Sequence, residues 1–123
     1  MDHQLLPCPN KPNCVSSLSK ASPHYIEPLT FPGNNNGEGM QRLARLLRSL
    51  VRVSIQYQDD HYIHAVCHSR VFRFKDDLEF RYDEHMAVCH VRSASRSGYY
   101  DFGVNRSRLE KIRQLLISQQ KKV

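Results

Sequence analysis

Apolar residues recur along this chain in two different periods, and each period predicts a different kind of element. Over residues 38 to 50, and again over residues 105 to 119, they recur every three or four positions, the spacing of one buried helix face. Asn105 stands where a capping side chain is expected at the start of the second helix. The predicted buried stripes are Met40, Leu43, Leu46, Leu47 and Leu50 in the first helix and Leu109, Ile112, Leu115 and Leu116 in the second.

Between the two predicted helices the pattern changes to the alternation that is typical of strands. Four strands are predicted, over residues 52 to 57, 62 to 69, 71 to 82 and 86 to 95, with Asp76 and Asp77 as a candidate break in the third. In that strand the apolar residues share one parity and the charged residues the other, so one face is packed and one is wet. The order of elements predicts an α+β domain, in which a four-stranded antiparallel sheet carries both helices on one face.

Residues 1 to 36 follow neither period. They are rich in proline, serine and asparagine, and we expect them to form an ordered but irregular N-terminal arm. The segment FPGNNNGEG then breaks the chain with its glycines and asparagines, so the predicted division is an arm over residues 1 to 36 and a single α+β domain over residues 37 to 123. The scattered apolar anchors of the arm are Val15, Leu18, Tyr25, Ile26, Leu29 and Phe31.

The net charge of this 123-residue chain is +6, which favours anionic partners because summed positive charge speeds encounters with phosphates and carboxylates. Nucleic acid stays open as a partner, although no nucleic-acid-binding motif accompanies the charge. No stretch approaches the roughly 18 apolar residues of a membrane span. The N-terminal residues MDHQLLPCPNKPNC do not show the basic head and apolar core of a secretory signal, so we expect none here. As the sequence stands, we expect a cytoplasmic protein, with export to the periplasm as the alternative.

The four cysteines fall into a close pair and a distant pair. Cys8 and Cys14 bound the proline-rich segment CPNKPNC, and we expect them to lie together, bridged or nearly so, with a gain of about 2 kcal/mol if bridged. Cys67 and Cys89 lie in two predicted strands that a simple meander keeps roughly 9–10 Å apart, too far for a disulfide. We expect both to be buried, unreactive thiols.

Seven histidines raise the question of a metal site. His64 and His68 share a face of one predicted strand, but four residues separate them by roughly 13 Å, which zinc–nitrogen bonds of about 2.1 Å cannot span. A cross-strand pair of His68 and His90 stays open, but no other feature of the sequence supports it. We therefore predict no metal and no cofactor.

The junction over residues 91 to 116 concentrates arginines, serines and glycines ahead of the second helix, which are the ingredients of an anion-binding nest. Its spacing matches neither a phosphate-binding P-loop, nor a dinucleotide fingerprint, nor a serine-hydrolase elbow. Asp76 and Asp77 are mid-strand carboxylates that need partners, so we expect at least one to contact an arginine of the junction. The candidate arginines are Arg92, Arg96, Arg106 and Arg108. The candidate ligand-binding residues are Asp76, Asp77, Arg92, Ser93, Ser95, Arg96, Asp101, Asn105 and Arg106.

Three segments, CPNKPNCVSS, RVFRFKDDLEFRYD and VRSASRSGYYDFGVNRSRLEKIR, resemble the bacterial and plastid family known as domain of unknown function 1499. Together they cover nearly the whole domain, and the last is the most specific. The resemblance implies no established activity. The resemblance also implies an export signal or a lipid anchor, which members of the family often carry, and we expect neither in this chain as the sequence stands. The positions that the family pattern marks are Cys14, Ser16, Asp76, Asp77, Arg92, Ser93, Ser95, Arg96, Gly98, Asp101, Gly103, Asn105 and Arg106.

Three functions stay open on this sequence. The first is a binding module for an anionic small molecule or partner, because the Arg/Ser/Asp cluster is rich in donors but lacks a nucleophile–base pair. The alternative is a hydrolytic enzyme that uses Asp76 or Asp77 as a base and arginines as clamps. A further alternative is a structural or interaction domain, in which the cluster only fixes the fold.

Overall fold

The computed structural model describes residues 4–31, 38–69 and 74–121, and within them the chain forms two helices and one antiparallel sheet. The helices are α1 (Glu38–Ser49) and α2 (Val104–Lys121). The strands are β1 (Cys14–Ser16), β2 (Val53–Gln58), β3 (Tyr62–His68), β4 (Lys75–Asp83) and β5 (Val88–Ser95). The predicted α+β class is confirmed.

Within the described residues the sheet has five strands, in the order β1-β5-β4-β3-β2, and every neighbouring pair is antiparallel. Strands β2 to β5 are the four predicted strands and follow one another as a meander. The prediction of four strands is wrong by one, because β1 comes from the N-terminal arm and pairs with β5. It spans only three residues, which is too short for an alternating pattern to show in the sequence.

Strand β4 runs without interruption through Asp76 and Asp77, so the candidate break is absent from the paired strand. Side chains alternate along it as the sequence predicts. Leu78 and Phe80 are buried in the core, whereas Glu79 lies on the opposite, half-buried face. Residues 71 to 73, which the sequence assigns to the start of this strand, lie outside the described residues. The parity of the strand places Asp76 on the side of the core and Asp77 on the other side.

Both helices pack on one face of the sheet, where their apolar stripes join the buried face of the strands in one hydrophobic core. The arm contributes to that core, since Ile26 and Leu29 are almost completely buried in it. Leu18, one of the predicted anchors of the arm, is instead exposed. No helix in residues 4–31, 38–69 and 74–121 is both long and apolar enough to cross a bilayer.

The two outer strands of the sheet, β1 and β2, differ in what their outer sides contact. Residues 24 to 26 lie along the outer side of β1, where the Ser16 amide donates to the His24 carbonyl at 2.9 Å and the Ile26 amide donates to the Ser16 carbonyl at 3.4 Å. Strand β2 pairs with β3 along one side, and its register shifts at an irregularity between Ile55 and Tyr57.

Candidate functional site

Asp76 and Asp77 both pair with arginines of the strand-to-helix junction, which confirms the expected contact. Asp76 Oδ2 lies 2.8 Å from Arg108 Nη2. Arg96 donates two parallel hydrogen bonds to Asp77, at 2.8 and 2.9 Å. Because neighbouring strand residues face opposite sides of a sheet, the two pairs lie on opposite faces. The predicted polar cluster is therefore divided into two clusters.

The buried cluster consists of Asp76, Ser93, Ser95, Asn105 and Arg108, on the core side of β4 and β5 beneath the start of α2. Asn105 is completely buried and lies at its centre. Asn105 Oδ1 accepts hydrogen bonds from the Ser93 hydroxyl at 2.6 Å and from Arg108 at 3.1 Å. Asn105 Nδ2 donates to the Ser95 hydroxyl at 3.0 Å. These contacts satisfy polar groups that would be costly to bury alone.

The same amide of Asn105 reaches beyond the cluster to two other segments. Nδ2 also lies 2.8 Å from Asp101 Oδ2 and 3.1 Å from the Asn13 carbonyl. The Asn13 side chain in turn donates to the Gly98 carbonyl at 2.7 Å. The buried cluster thus joins the segment before β1 to β5 and α2, which is the arrangement of a structural network.

The helix cap differs from the predicted one. Asn105 lies inside α2, which begins at Val104, so the expectation that Asn105 is the N-cap is wrong. The N-cap position falls on Gly103, whose carbonyl accepts from the Ser107 amide at 3.0 Å. Asp101, two residues earlier, supplies the capping side chain, because its carboxylate accepts from the Gly103 amide at 2.8 Å and from the Asn105 amide at 3.4 Å. Asn105 and Asp101 are both capping types in the same polar segment, and the sequence alone does not separate them.

The outer cluster lies on the face of the sheet away from the helices and contains Tyr62, His64, Asp77, Glu79, Arg92 and Arg96. His64 Nε2 lies 2.8 Å from Asp77 Oδ1, and the bond from Arg96 holds the pKa of Asp77 below its usual value. The Tyr62 hydroxyl donates to Glu79 at 2.7 Å, and burial raises the pKa of that phenol. Arg92 lies 3.6 Å from Glu79, and among the described residues its buried Nε has no hydrogen-bond partner.

Two arginines of α2 hold the N-terminal arm through its backbone. Arg106 donates to the Tyr25 and Pro23 carbonyls at 2.8 and 2.9 Å. Arg113 donates to the Pro28 and Glu27 carbonyls at 2.8 and 2.6 Å. Of the residues that the sequence assigns to one site, Arg106 therefore lies in neither cluster and contacts the arm.

Cys8 and Cys14 form a disulfide with a Cα–Cα distance of 5.7 Å, which confirms that they lie together. Cys67 and Cys89 are free thiols, as expected, because β4 lies between their strands. Burial raises the pKa of Cys89, which keeps this thiol protonated and unreactive. Cys67 is only half-buried, so its expected burial is wrong.

The described residues contain no group of three or more His, Cys, Asp and Glu side chains that could hold a metal ion. His68 lies on β3 and His90 on β5, and β4 separates these strands. The ring of His90 instead lies 3.0 Å from the Ser17 hydroxyl through Nδ1.

Two clefts open on either side of the loop over residues 98 to 103. The basic cleft has a volume of about 420 Å³, and its polar lining includes Lys11, His24, Tyr99 and Arg106. The aromatic cleft has a volume of about 290 Å³, and its lining includes Phe74, Asp76, Ser95, Tyr100, Phe102 and Arg108. Tyr100 and Asp101 line both clefts, so the two share a wall.

The loop between the clefts holds three residues in the left-handed backbone region. They are Gly98, Phe102 and Gly103, with φ values of 82°, 55° and 77°. Glycine adopts this region freely, whereas for Phe102 it is strained. Phe102 is 84% exposed and its ring lies edge-on to Tyr100, with 4.8 Å between ring centroids. Phe102 and Lys11 line the clefts but are not among the candidate residues predicted from the sequence; the signal for Phe102 is the aromatic segment YYDF in a polar loop.

The fold and the two clefts define a small α+β domain with a candidate ligand-binding surface at the start of its last helix. The chain matches the family described as "Protein of unknown function (DUF1499)" over residues 4–116, and it therefore belongs to that family. Neither a curated protein nor a solved structure gave a match.

Proposed function

We propose that this domain is a binding module for a small anionic ligand, which it holds in the basic cleft. The observation that supports this is the charge of the walls, where Lys11 and Arg106 are cationic and Asp101 is the single carboxylate among the residues found to line it. The Asp101 carboxylate is engaged by amides at the start of α2. The lining therefore carries two cations against one carboxylate, an excess of positive charge that favours an anionic ligand.

Arg106 is well suited to hold an anion because the protein fixes its position. Its two hydrogen bonds to the Tyr25 and Pro23 carbonyls use only part of a guanidinium group that carries five N–H donors. The remaining donors are held ready, which lowers the entropic cost of binding. Lys11 is exposed and adds a point charge on a flexible stem.

The proposed ligand lies beside the clusters that the sequence singled out, not inside them. Of the candidate ligand-binding residues, Asp101 and Arg106 line the basic cleft. The others donate to or accept from neighbours within the protein, as in the pairs of Asp76 with Arg108 and of Asp77 with Arg96. Those pairs also engage the two carboxylates that a hydrolytic mechanism would use as its base.

The test is a titration of the full chain with inorganic phosphate, pyrophosphate and citrate, followed by backbone amide shifts and by thermal melting. We expect a saturable response centred on the basic cleft. Lys11→Glu should weaken binding roughly tenfold or more, since it replaces an attractive charge by a repulsive one. Lys111→Glu is the matched control, because Lys111 is exposed on α2 outside the cleft and the net charge changes equally. An unsaturable response, or equal weakening in both variants, would contradict the proposal.

A further inference from the structure

We infer that the ligand is a nucleotide, whose phosphate lies in the basic cleft and whose base stacks in the aromatic cleft. This inference rests on the proposed anion site and names the chemical class that both clefts together would accept. Three features of the aromatic cleft support it: its exposed rings, its polar floor and the wall that it shares with the basic cleft.

The rings are the first feature. Phe74, Tyr100 and Phe102 all line the aromatic cleft, and each is more than half exposed. Large aromatic side chains are seldom left in solvent around one cavity without a binding role. Stacking on such rings is the common way in which proteins hold a nucleobase, because every base offers a flat π-face.

The strained backbone of Phe102 belongs to the same feature. A phenylalanine in the left-handed region costs free energy relative to an extended one, and here the residue projects its ring into solvent. The ring gains no burial in the core in return. It does gain an edge-on contact with Tyr100, which places two rings at the mouth of the aromatic cleft.

The floor of the aromatic cleft is the second feature. Asp76, which is 9% exposed, supplies a hydrogen-bond acceptor, Arg108 supplies donors, and the Ser95 hydroxyl supplies both. The edge of a nucleobase carries donors and acceptors side by side, so a floor with both types matches it. Asp76 pairs with Arg108, and Ser95 accepts from Asn105, so a base would use the acceptor and donor sites that these side chains have beyond those contacts.

The shared wall is the third feature. Tyr100 and Asp101 line both clefts, so a ligand that crosses this wall would reach the cations on one side and the rings on the other. Inorganic phosphate would fill only the basic cleft, and a nucleoside only the aromatic one. A nucleotide joins both chemical groups in one molecule, and its binding gains from both clefts at once.

The experiment compares four probes on the full chain: inorganic phosphate, ribose 5-phosphate, adenosine and adenosine 5′-monophosphate. We expect adenosine 5′-monophosphate to bind at least roughly tenfold more tightly than ribose 5-phosphate, because stacking adds to the phosphate contact. Tyrosine fluorescence should change with the two probes that carry a base, since Tyr100 lies in the shared wall.

Variants of Phe102 separate stacking from folding. Phe102→Leu should lower the affinity for adenosine 5′-monophosphate toward that for ribose 5-phosphate, because one of the three rings is lost, while ribose 5-phosphate binds as before. Phe102→Tyr keeps a ring and should keep the affinity. Tyr57→Ala is the matched control, because Tyr57 is an exposed aromatic residue on β2 that lines neither cleft. Its loss should leave the affinities for all four probes unchanged.

The outcomes distinguish this inference from the proposed function. Equal affinities for ribose 5-phosphate and adenosine 5′-monophosphate would overturn the inference that the ligand is a nucleotide, while the proposed anion site would stand. Failure of every phosphate probe would overturn both proposals. An oligoadenylate identifies the source of the nucleotide: binding that tightens with each added residue points to single-stranded nucleic acid, and binding that matches the mononucleotide points to a free metabolite.

Discussion

Asn105 shows how much one side chain can organise in this domain. Its amide contacts five polar atoms, which belong to Ser93, Arg108, Ser95, Asp101 and the backbone of Asn13. No other residue type offers two donors and an acceptor in so small a volume. The side chain therefore specifies the geometry at the start of α2, although it buries no apolar surface.

We expect Asn105→Ala to lower the free energy of unfolding by at least about 2 kcal/mol, because it leaves buried groups without partners. Urea denaturation measures the change. Gln114→Ala is the control on the same helix, since Gln114 is exposed and its replacement should change stability by less than about 0.5 kcal/mol. Equal effects of the two substitutions would show that the buried contacts contribute little.

We expect the stability of the protein to fall in mild acid because of His90. Burial lowers its pKa from 6.5 in the folded protein, so the unfolded chain takes up the proton at higher pH. The folded state is therefore favoured fully while His90 is neutral in both states, above about pH 6.5, and this contribution to stability is lost as the pH falls below that value. Asp77 acts separately, because its lowered pKa means that its contribution is lost only below about pH 3.8. The free energy of unfolding, measured from pH 7.5 to 4.5, should depend less steeply on pH in His90→Gln than in the parent protein. An equal dependence on pH in both proteins would contradict the assignment to His90.

At the scale of elements, α1 is fixed against the arm by a glycine. A Cβ added at Gly39 would overlap the ring of Phe31, which is buried in the core. The first turn of α1 can approach the arm so closely only because position 39 carries no side chain.

We expect Gly39→Ala to destabilise the protein by about 1–3 kcal/mol through overpacking. Helix propensity alone predicts that the same substitution stabilises the protein, by up to about 1 kcal/mol. The sign of the measured change in stability therefore shows whether packing or propensity dominates. Differential scanning calorimetry gives the change. The double variant Gly39→Ala/Phe31→Leu should recover part of the lost free energy of unfolding. No recovery would show that overlap with the Phe31 ring does not cause the loss.

The sequence predicted the long elements well and the site only in part. Helices α1 and α2 and strands β2 to β5 follow from apolar periodicity, which a packed core imposes over many residues. Strand β1 is too short for that signal. The contacts of Asp76 and Asp77 with arginines follow from charge compensation, but the role of Asp101 as cap depends on tertiary packing, which periodicity does not carry. Lys11 and Tyr99 meet in the basic cleft only because the arm folds back against the loop before α2, where the Asp101 amide donates to the Pro12 carbonyl.

At the scale of the whole molecule, the arm is tied to the remainder by several kinds of bond. Strand β1 extends the sheet, Arg106 and Arg113 hold the arm's carbonyls, and Ile26 lies in the core. The disulfide adds a tie within the arm itself, between Cys8 and the first residue of β1.

We expect the double substitution Cys8→Ser/Cys14→Ser to cost about 2 kcal/mol, the loop-closure entropy that a short bridge removes from the unfolded chain. The protein should stay folded, because the other ties of the arm are unchanged. Chemical denaturation of the variant and of the reduced parent protein should agree. Cys67→Ala, which removes a half-buried free thiol, is the control and should cost less. Loss of the whole fold in the double variant would show that the bridge, not the sheet, holds the arm.

The unequal edges of the sheet bear on how copies of this protein could stack. Among residues 4–31, 38–69 and 74–121, residues 24 to 26 close the outer side of β1, which leaves β2 as the outer strand whose backbone a second copy could extend. A ribbon of sheets needs two such edges on every copy. With one edge, a copy could add a single neighbour, and the resulting pair would present no edge for a third. Assembly through strand pairing would thus end at two copies, and the folded protein is protected from growing into fibres by that route.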